Sequence, residues 1–269
     1  MKITFIGGGN MATALIGGMK QQGFSTAAIQ VVEPAETARQ QLGDRFGVRA
    51  TPTIDAAALA CDVLLLAVKP QQMKDAVGSL AGKLNKQIVI SIAAGLRVAD
   101  IARWLQHPRV VRAMPNTPAL IGCGMTGLYA DPSVDATGRA QAEKILAAVG
   151  ATLWVAEEAR IDAVTAISGS GPAYVFYFIE AVEAAARGLG LDDDAARRLT
   201  VETFLGASRL AAQSPDSIAI LRERVTSKGG TTEAALQRFA AQGIAEAIRQ
   251  GIDAAHARGQ ELGDQLGKD

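Results

Sequence analysis

Residues 2–12 read KITFIGGGNMA: a short β-prone run from Lys2 to Ile6, a halt at Gly7-Gly8-Gly9, and then the start of a helix. Met11 to Gln22 takes up helical spacing, with Met11, Ala14, Leu15 and Met19 on one face. Gly7, Gly9 and Ala12 stand in the key places of a GxGxxA turn. In such a turn the first glycine permits the tight bend. The second lets a pyrophosphate approach bare backbone, and the small third residue lets helix and strand pack closely. The helix start then directs free N–H groups and the positive end of its dipole at the phosphates. Glycine turns are common, so the weight rests on the flanking strand, the flanking helix and the recurrence of that pairing along the chain. The residues predicted to bind a dinucleotide here are Gly7, Gly8, Gly9, Asn10 and Met11.

Downstream the pattern repeats. Ile29 to Val32 is a second strand, closed by Glu33-Pro34, and Ala35 to Phe46 is helical. Val48 to Ala50 reads as a third short strand and Asp55 to Ala60 as a helical segment. Val63 to Val68 is unbroken and apolar, which is the mark of a parallel strand buried on both faces. Met73 to Leu84 and Val98 to Leu105 read as helices, Ile88 to Ile92 and Val110 to Met114 as strands. Strands alternating with helices predict βαβ units with right-handed crossovers. Ligands of such sheets lie outside the carboxyl ends of the strands. Ala67, Val68, Lys69 and Pro70 after one strand, and Pro115 and Asn116 after another, are therefore predicted to face the cofactor. Glu33 can accept the ribose 2′-OH of NADH, whereas Arg39 can meet the 2′-phosphate of NADPH. The cofactor is NADPH or NADH.

The pattern changes near Glu157. Ala-rich helical stretches take over: Ala173 to Leu189, Asp193 to Gln213, Ser217 to Thr226, Thr232 to Phe239 and Ile244 to Leu262. The first of these is apolar nearly all round, through Tyr174, Phe176, Tyr177, Phe178, Ile179 and Val182. A short helical domain cannot easily bury such a helix alone, so a homodimer is expected. The fold class is α/β: a Rossmann-type parallel-sheet domain over residues 1–157, followed by an all-α dimerisation domain over residues 158–269.

Composition narrows the partners. Lys plus Arg and Asp plus Glu both number 27, the net charge is zero, and aromatics make up 4% of 269 residues. A dedicated nucleic-acid binder would carry a basic footprint. Two cysteines, Cys61 and Cys123, make no disulfide framework, and two histidines, His107 and His256, make no multi-histidine metal site. Cys123, in the glycine-rich loop Gly122-Cys123-Gly124, is expected to be a buried or half-buried structural thiol, and His107, before Pro108, to lie in a surface turn. The longest apolar run is far short of the about 20 residues that span a bilayer. No signal core precedes the first glycines, which predicts a cytoplasmic protein with no membrane partner.

Two glycine-rich loops stand out in the helical half, Ser168-Gly169-Ser170-Gly171-Pro172 and Val225-Thr226-Ser227-Lys228-Gly229-Gly230-Thr231-Thr232. Each presents hydroxyls and N–H groups at a helix start, which suits an anion such as a carboxylate. Ser170 and Thr231 could equally be ordinary caps. With these loops the chain resembles the Δ1-pyrroline-5-carboxylate reductases nearly end to end. The likeness is carried by IGGGNMATALIGG at 6–18, LAVKPQ at 66–71, SIAAG at 91–95, RAMPNTPA at 112–119, AISGSGPAY at 166–174 and VTSKGGTTEAAL at 225–236.

The resemblance implies an NAD(P)H-dependent imine reductase that converts 1-pyrroline-5-carboxylate to proline, with dimers or rings of dimers. It implies that the helical domain dimerises and completes the active site. It further implies that Ser227, Gly229, Gly230 and Thr231 hold the substrate carboxylate and that the Thr232 hydroxyl acts at the ring nitrogen. Lys228 departs from the family, which usually has a proline there. The same fold admits two rival readings. A β-hydroxyacid dehydrogenase needs a lysine where Val175 stands, and no lysine lies between Lys144 and Lys228. A cofactor-sensing protein would bind NAD(P)H without turnover.

Overall fold

The computed structural model describes residues 1–268. The chain forms two compact units: residues 1–170 together with the chain from Ala254 onward, and residues 171–253.

The first unit is built on one eight-stranded sheet of order β3-β2-β1-β4-β5-β6-β7-β8. Its strands are β1 (Ile3–Ile6), β2 (Ile29–Val32), β3 (Arg49–Thr51), β4 (Val63–Leu66), β5 (Ile88–Ser91), β6 (Val110–Met114), β7 (Gly124–Ala130) and β8 (Gly150–Trp154). All pairs are parallel except β6 with β7. β1, β2, β4 and β5 are buried along their whole length, which explains why they are apolar apart from Thr4, Gln30 and Ser91. Alternation sorts their side chains into two cores. Leu65 joins Phe5 and Leu15 in one, while Leu64 and Leu66 join Met73 and Leu80 in the other.

The helices of this unit are α1 (Asn10–Gln21), α2 (Glu36–Phe46), α3 (Ala56–Leu59), α4 (Met73–Gly78), α5 (Val98–Leu105), α6 (Ala136–Leu146) and α7 (Arg160–Val164). A π-helical turn, Thr165–Gly169, continues α7. The pattern of alternating elements holds as far as β6, with β3 one residue later than expected and α4 ending at Gly78 rather than Leu84. β7, α6 and β8 are additions that the sequence pattern does not show. Gly124, one of the two glycines beside Cys123, opens β7. His107 is buried, with Nε2 2.7 Å from the Gln87 carbonyl oxygen, and Cys123 is exposed; both reverse the expectation.

The second unit is helical: α8 (Gly171–Gly188), α9 (Asp193–Gln213), α10 (Ile218–Arg224), α11 (Thr231–Ala241) and the start of α12 (Ile244–Leu266). Asp192 caps α9 by accepting the Ala195 N–H at 2.7 Å. Large apolar side chains remain exposed on this unit, including Phe176 at 65% and Tyr177 at 68% on α8, and Leu199 and Leu210 on α9. α12 continues into the first unit, where its last turns meet the segment 95–103. Gly263 packs so closely on Gly95 that a Cβ there would lie 2.9 Å from the Gly95 carbonyl oxygen. Arg97 pairs with Asp264, and Arg103 donates to the Gly267 carbonyl at 2.9 Å. Among the described residues, no helix is long and apolar enough to cross a membrane.

Candidate functional site

Strand order reverses at β1, which has β2 on one side and β4 on the other. Open parallel sheets bind ligands at such a switch point. Gly7 leaves β1 with φ +99°, donating its N–H to the Val32 carbonyl at 2.8 Å. A Cβ at Gly7 would lie 2.7 Å from the Ala67 carbonyl oxygen, so this glycine is required by the close approach of the chain leaving β4. A Cβ at Gly8 would meet Leu42 at 2.7 Å. Gly9 is different. It is exposed, and a Cβ there would have nothing within 4 Å. The chain therefore keeps this position bare for no packing reason of its own.

Gly9 also caps α1, whose first turn carries no acid. The N–H groups of Asn10, Met11 and Ala12 have no acceptor among the described residues. An uncovered backbone, unpaired amides and a helix dipole make a cradle for a pyrophosphate, so these residues fit a dinucleotide.

Glu33 follows β2. Its carboxylate accepts the Gly8 N–H at 2.8 Å and the Ala35 N–H at 2.9 Å, which fixes it against the glycine turn. Arg39 donates to the backbone carbonyls of Glu33 at 2.8 Å and Pro34 at 2.5 Å, so its guanidinium braces this corner. Ala67, Val68, Lys69 and Pro70 follow β4 beside Gly7, and Lys69 is exposed. Beyond β6, Pro115 is buried and Asn116 is tied on both ends of its amide. Nδ2 donates to the Ser168 carbonyl at 3.1 Å and to its hydroxyl at 3.2 Å, and Oδ1 accepts the Met125 N–H at 2.9 Å. The Asn116 side chain thus locks the loop after β6 to β7 and to the π-helical turn. Ser168 belongs to the AISGSGPAY stretch, so that motif begins by holding this loop. π-turns of this kind recur at functional sites.

Below the loop lies a buried charge cluster that the sequence pattern does not single out. Arg112 on β6, 2% exposed, donates to Asp162 on α7 at 2.7 Å and to Glu158 at 3.3 Å. Glu158 also accepts the Val98 N–H at the start of α5, at 2.7 Å. One cation therefore gathers α5, β6 and α7.

In the second unit, Ser227 to Gly230 form a turn just before α11. Gly230 donates to the Ser227 carbonyl at 3.0 Å, and Gly229 has φ +71°. The Gly229 N–H donates to the Glu233 carboxylate at 2.7 Å. The N–H groups of Thr231 and Thr232 have no acceptor among the described residues. Ser227 thus closes on a helix start whose first two residues, Thr231 and Thr232, keep their amides open. No group of three or more His, Cys, Asp or Glu residues suited to a metal occurs among the described residues.

Residues 158–262 match the family model described as pyrroline-5-carboxylate reductase dimerisation, and residues 2–95 match one described as NADP oxidoreductase, coenzyme F420-dependent. The chain is 46% identical to a pyrroline-5-carboxylate reductase of Pseudomonas aeruginosa, covering 99% of this chain and 98% of that one. It is 36% identical to pyrroline-5-carboxylate reductase 2 of Bacillus subtilis, covering 98% and 96%. Among solved structures, the pyrroline-5-carboxylate reductase of Coxiella burnetii superposes with a TM-score of 0.92 at 40% identity, covering 97% and 98%. That of Plasmodium falciparum, solved with NADP bound, has a TM-score of 0.86 at 25% identity and covers 98% of each chain.

Proposed function

The chain belongs to the pyrroline-5-carboxylate reductase family, and from that premise we propose how its residues divide the work of reducing the imine. It is an NAD(P)H-dependent oxidoreductase that reduces 1-pyrroline-5-carboxylate to proline, the last step of proline biosynthesis. Residues 1–157 serve as the dinucleotide-binding domain. Residues 158–269 serve as the substrate and dimerisation domain, in a homodimer or an assembly of dimers working in the cytoplasm.

Gly9, Asn10 and Met11 would hold the pyrophosphate, with Gly7 and Gly8 shaping the turn beneath it, and Glu33 the adenosine ribose. Ala67 to Pro70, with Pro115 and Asn116, would line the nicotinamide end. When bound, the reduced nicotinamide supplies the hydride that the imine carbon receives. The protein has less left to do than in carbonyl reduction. A protonated imine is already electrophilic, so no strong acid is needed, and a single hydroxyl at the ring nitrogen suffices. Thr232 is that hydroxyl. Ser227 and Thr231, with the open amides of Thr231 and Thr232, hold the substrate carboxylate. Gly229 and Gly230 keep the approach free of side chains. Much of the rate then comes from positioning.

The observation that carries this assignment is the pair of unpaired amides at the start of α11 beside the Thr232 hydroxyl. The direct test is loss of nicotinamide absorbance with 1-pyrroline-5-carboxylate supplied. Turnover that depends on the imine supports the reading. Cofactor binding without turnover would favour the cofactor-sensing alternative.

A further inference from the structure

Ser227, Lys228, Gly229 and Gly230 make a four-residue turn closed by the Gly230 N–H on the Ser227 carbonyl, with positive φ at its third residue. That combination is a type II turn, whose second position favours proline because the ring presets φ there. Lys228 holds the second position. Its N–H has no acceptor among the described residues, and its side chain is exposed. Nothing in the turn uses what lysine offers over proline, and the backbone restraint of a ring is missing. A different restraint is present. Glu233 stands at the third position of α11, from which a glutamate can reach back over a helix start. Here it reaches one residue beyond the cap, and Oε2 accepts the N–H of Gly229, the third residue of the turn, at 2.7 Å.

We propose that Glu233 is a positioning residue for the reduction. Its carboxylate holds the 227–230 turn, and so the aim of the Thr231 and Thr232 amides and the Thr232 hydroxyl, in the role that a proline at 228 would fill. This inference rests on the reading of Ser227 to Thr232 as the substrate site. The carboxylate acts on the backbone and not on the imine, so its loss shows in substrate capture and leaves cofactor binding alone.

The test is a double-mutant cycle on the full chain with Glu233→Ala, Lys228→Pro and both together. In the free protein, Glu233→Ala should speed hydrogen exchange at the Gly229 amide. It should raise KM for the imine ~5-fold, with kcat and the KM for cofactor within about twofold, as expected for a misaimed binding loop. Lys228→Pro alone should change little, and in the double variant it should return KM to about the wild-type value. Faster exchange with unchanged imine KM would overturn the proposal, because the turn would then be held without consequence. A double variant as poor as Glu233→Ala would also overturn it, by showing that the charge matters and not the restraint. Ser227→Ala and Thr232→Ala separate the two levels. If neither alters imine KM or kcat, the substrate-site reading itself has failed and the role of Glu233 falls with it, whatever the exchange rates show.

Discussion

Gly7 and Gly9 stand two places apart in one motif and answer to different forces. Gly7 is held by the fold, through its positive φ and the Ala67 carbonyl 2.7 Å from where a Cβ would sit. Gly9 faces open space. Gly7→Ala should therefore cost about 1–3 kcal/mol of stability in chemical denaturation. Gly9→Val should leave the denaturation midpoint near wild type and weaken cofactor binding ~10-fold or more, read by titration of intrinsic tryptophan fluorescence. A Gly9→Val protein that binds cofactor normally would remove the cradle from this turn. Thr232→Ala should lower kcat by ~10- to 1000-fold, the range for losing one well-aimed donor. Unchanged turnover would take Thr232 out of the mechanism. The glycine spacing is readable in the sequence, but which glycine the fold demands and which it leaves open is not, because that depends on what lies opposite. Asn116 is legible as a polar residue at the end of a strand. Its partner Ser168 is 52 residues away, and no local pattern joins them.

Of the elements that escape the sequence pattern, β7 shows the reason. β7 carries Gly124 and Gly127, and glycine weakens a strand signal. Both are there for close approach. A Cβ at Gly127 would lie 2.6 Å from Val164 on α7, and one at Gly124 would lie 2.9 Å from Ala119. Helix and loop pack onto the strand where side chains are missing, so tertiary contact replaces propensity. The buried strands are plain because burial on both faces leaves mostly apolar runs, unbroken in β4 and interrupted once each by Thr4 in β1 and Gln30 in β2. Arg112 sits among such neighbours as an arginine in a strand, with nothing in the sequence to announce its two carboxylate partners. Arg112→Met should destabilise the protein by about 3–5 kcal/mol, because Asp162 and Glu158 would lose their cation. A loss under about 1 kcal/mol in urea unfolding would show the cluster to be solvated in practice.

At the scale of the molecule, the apolar all-round helix is the clearest signal of association. Phe176 and Tyr177 are exposed on α8, with Leu199 and Leu210 on α9. Large exposed apolar side chains of this kind mark interfaces. Leu199→Glu combined with Phe176→Glu should lower the sedimentation mass to that of one chain, 27.9 kDa; an unchanged mass would move the interface elsewhere. The return of α12 to the segment 95–103 has a separate consequence. The segment after β5 is packed by polypeptide synthesised long after the strands, since Gly263 seats against Gly95 and Asp264 binds Arg97. A fragment stopped at Ser170 would lack its own plug. Supplying a synthetic peptide of residues 254–269 should re-solubilise that fragment, making the two pieces a split pair that reports its own reassembly.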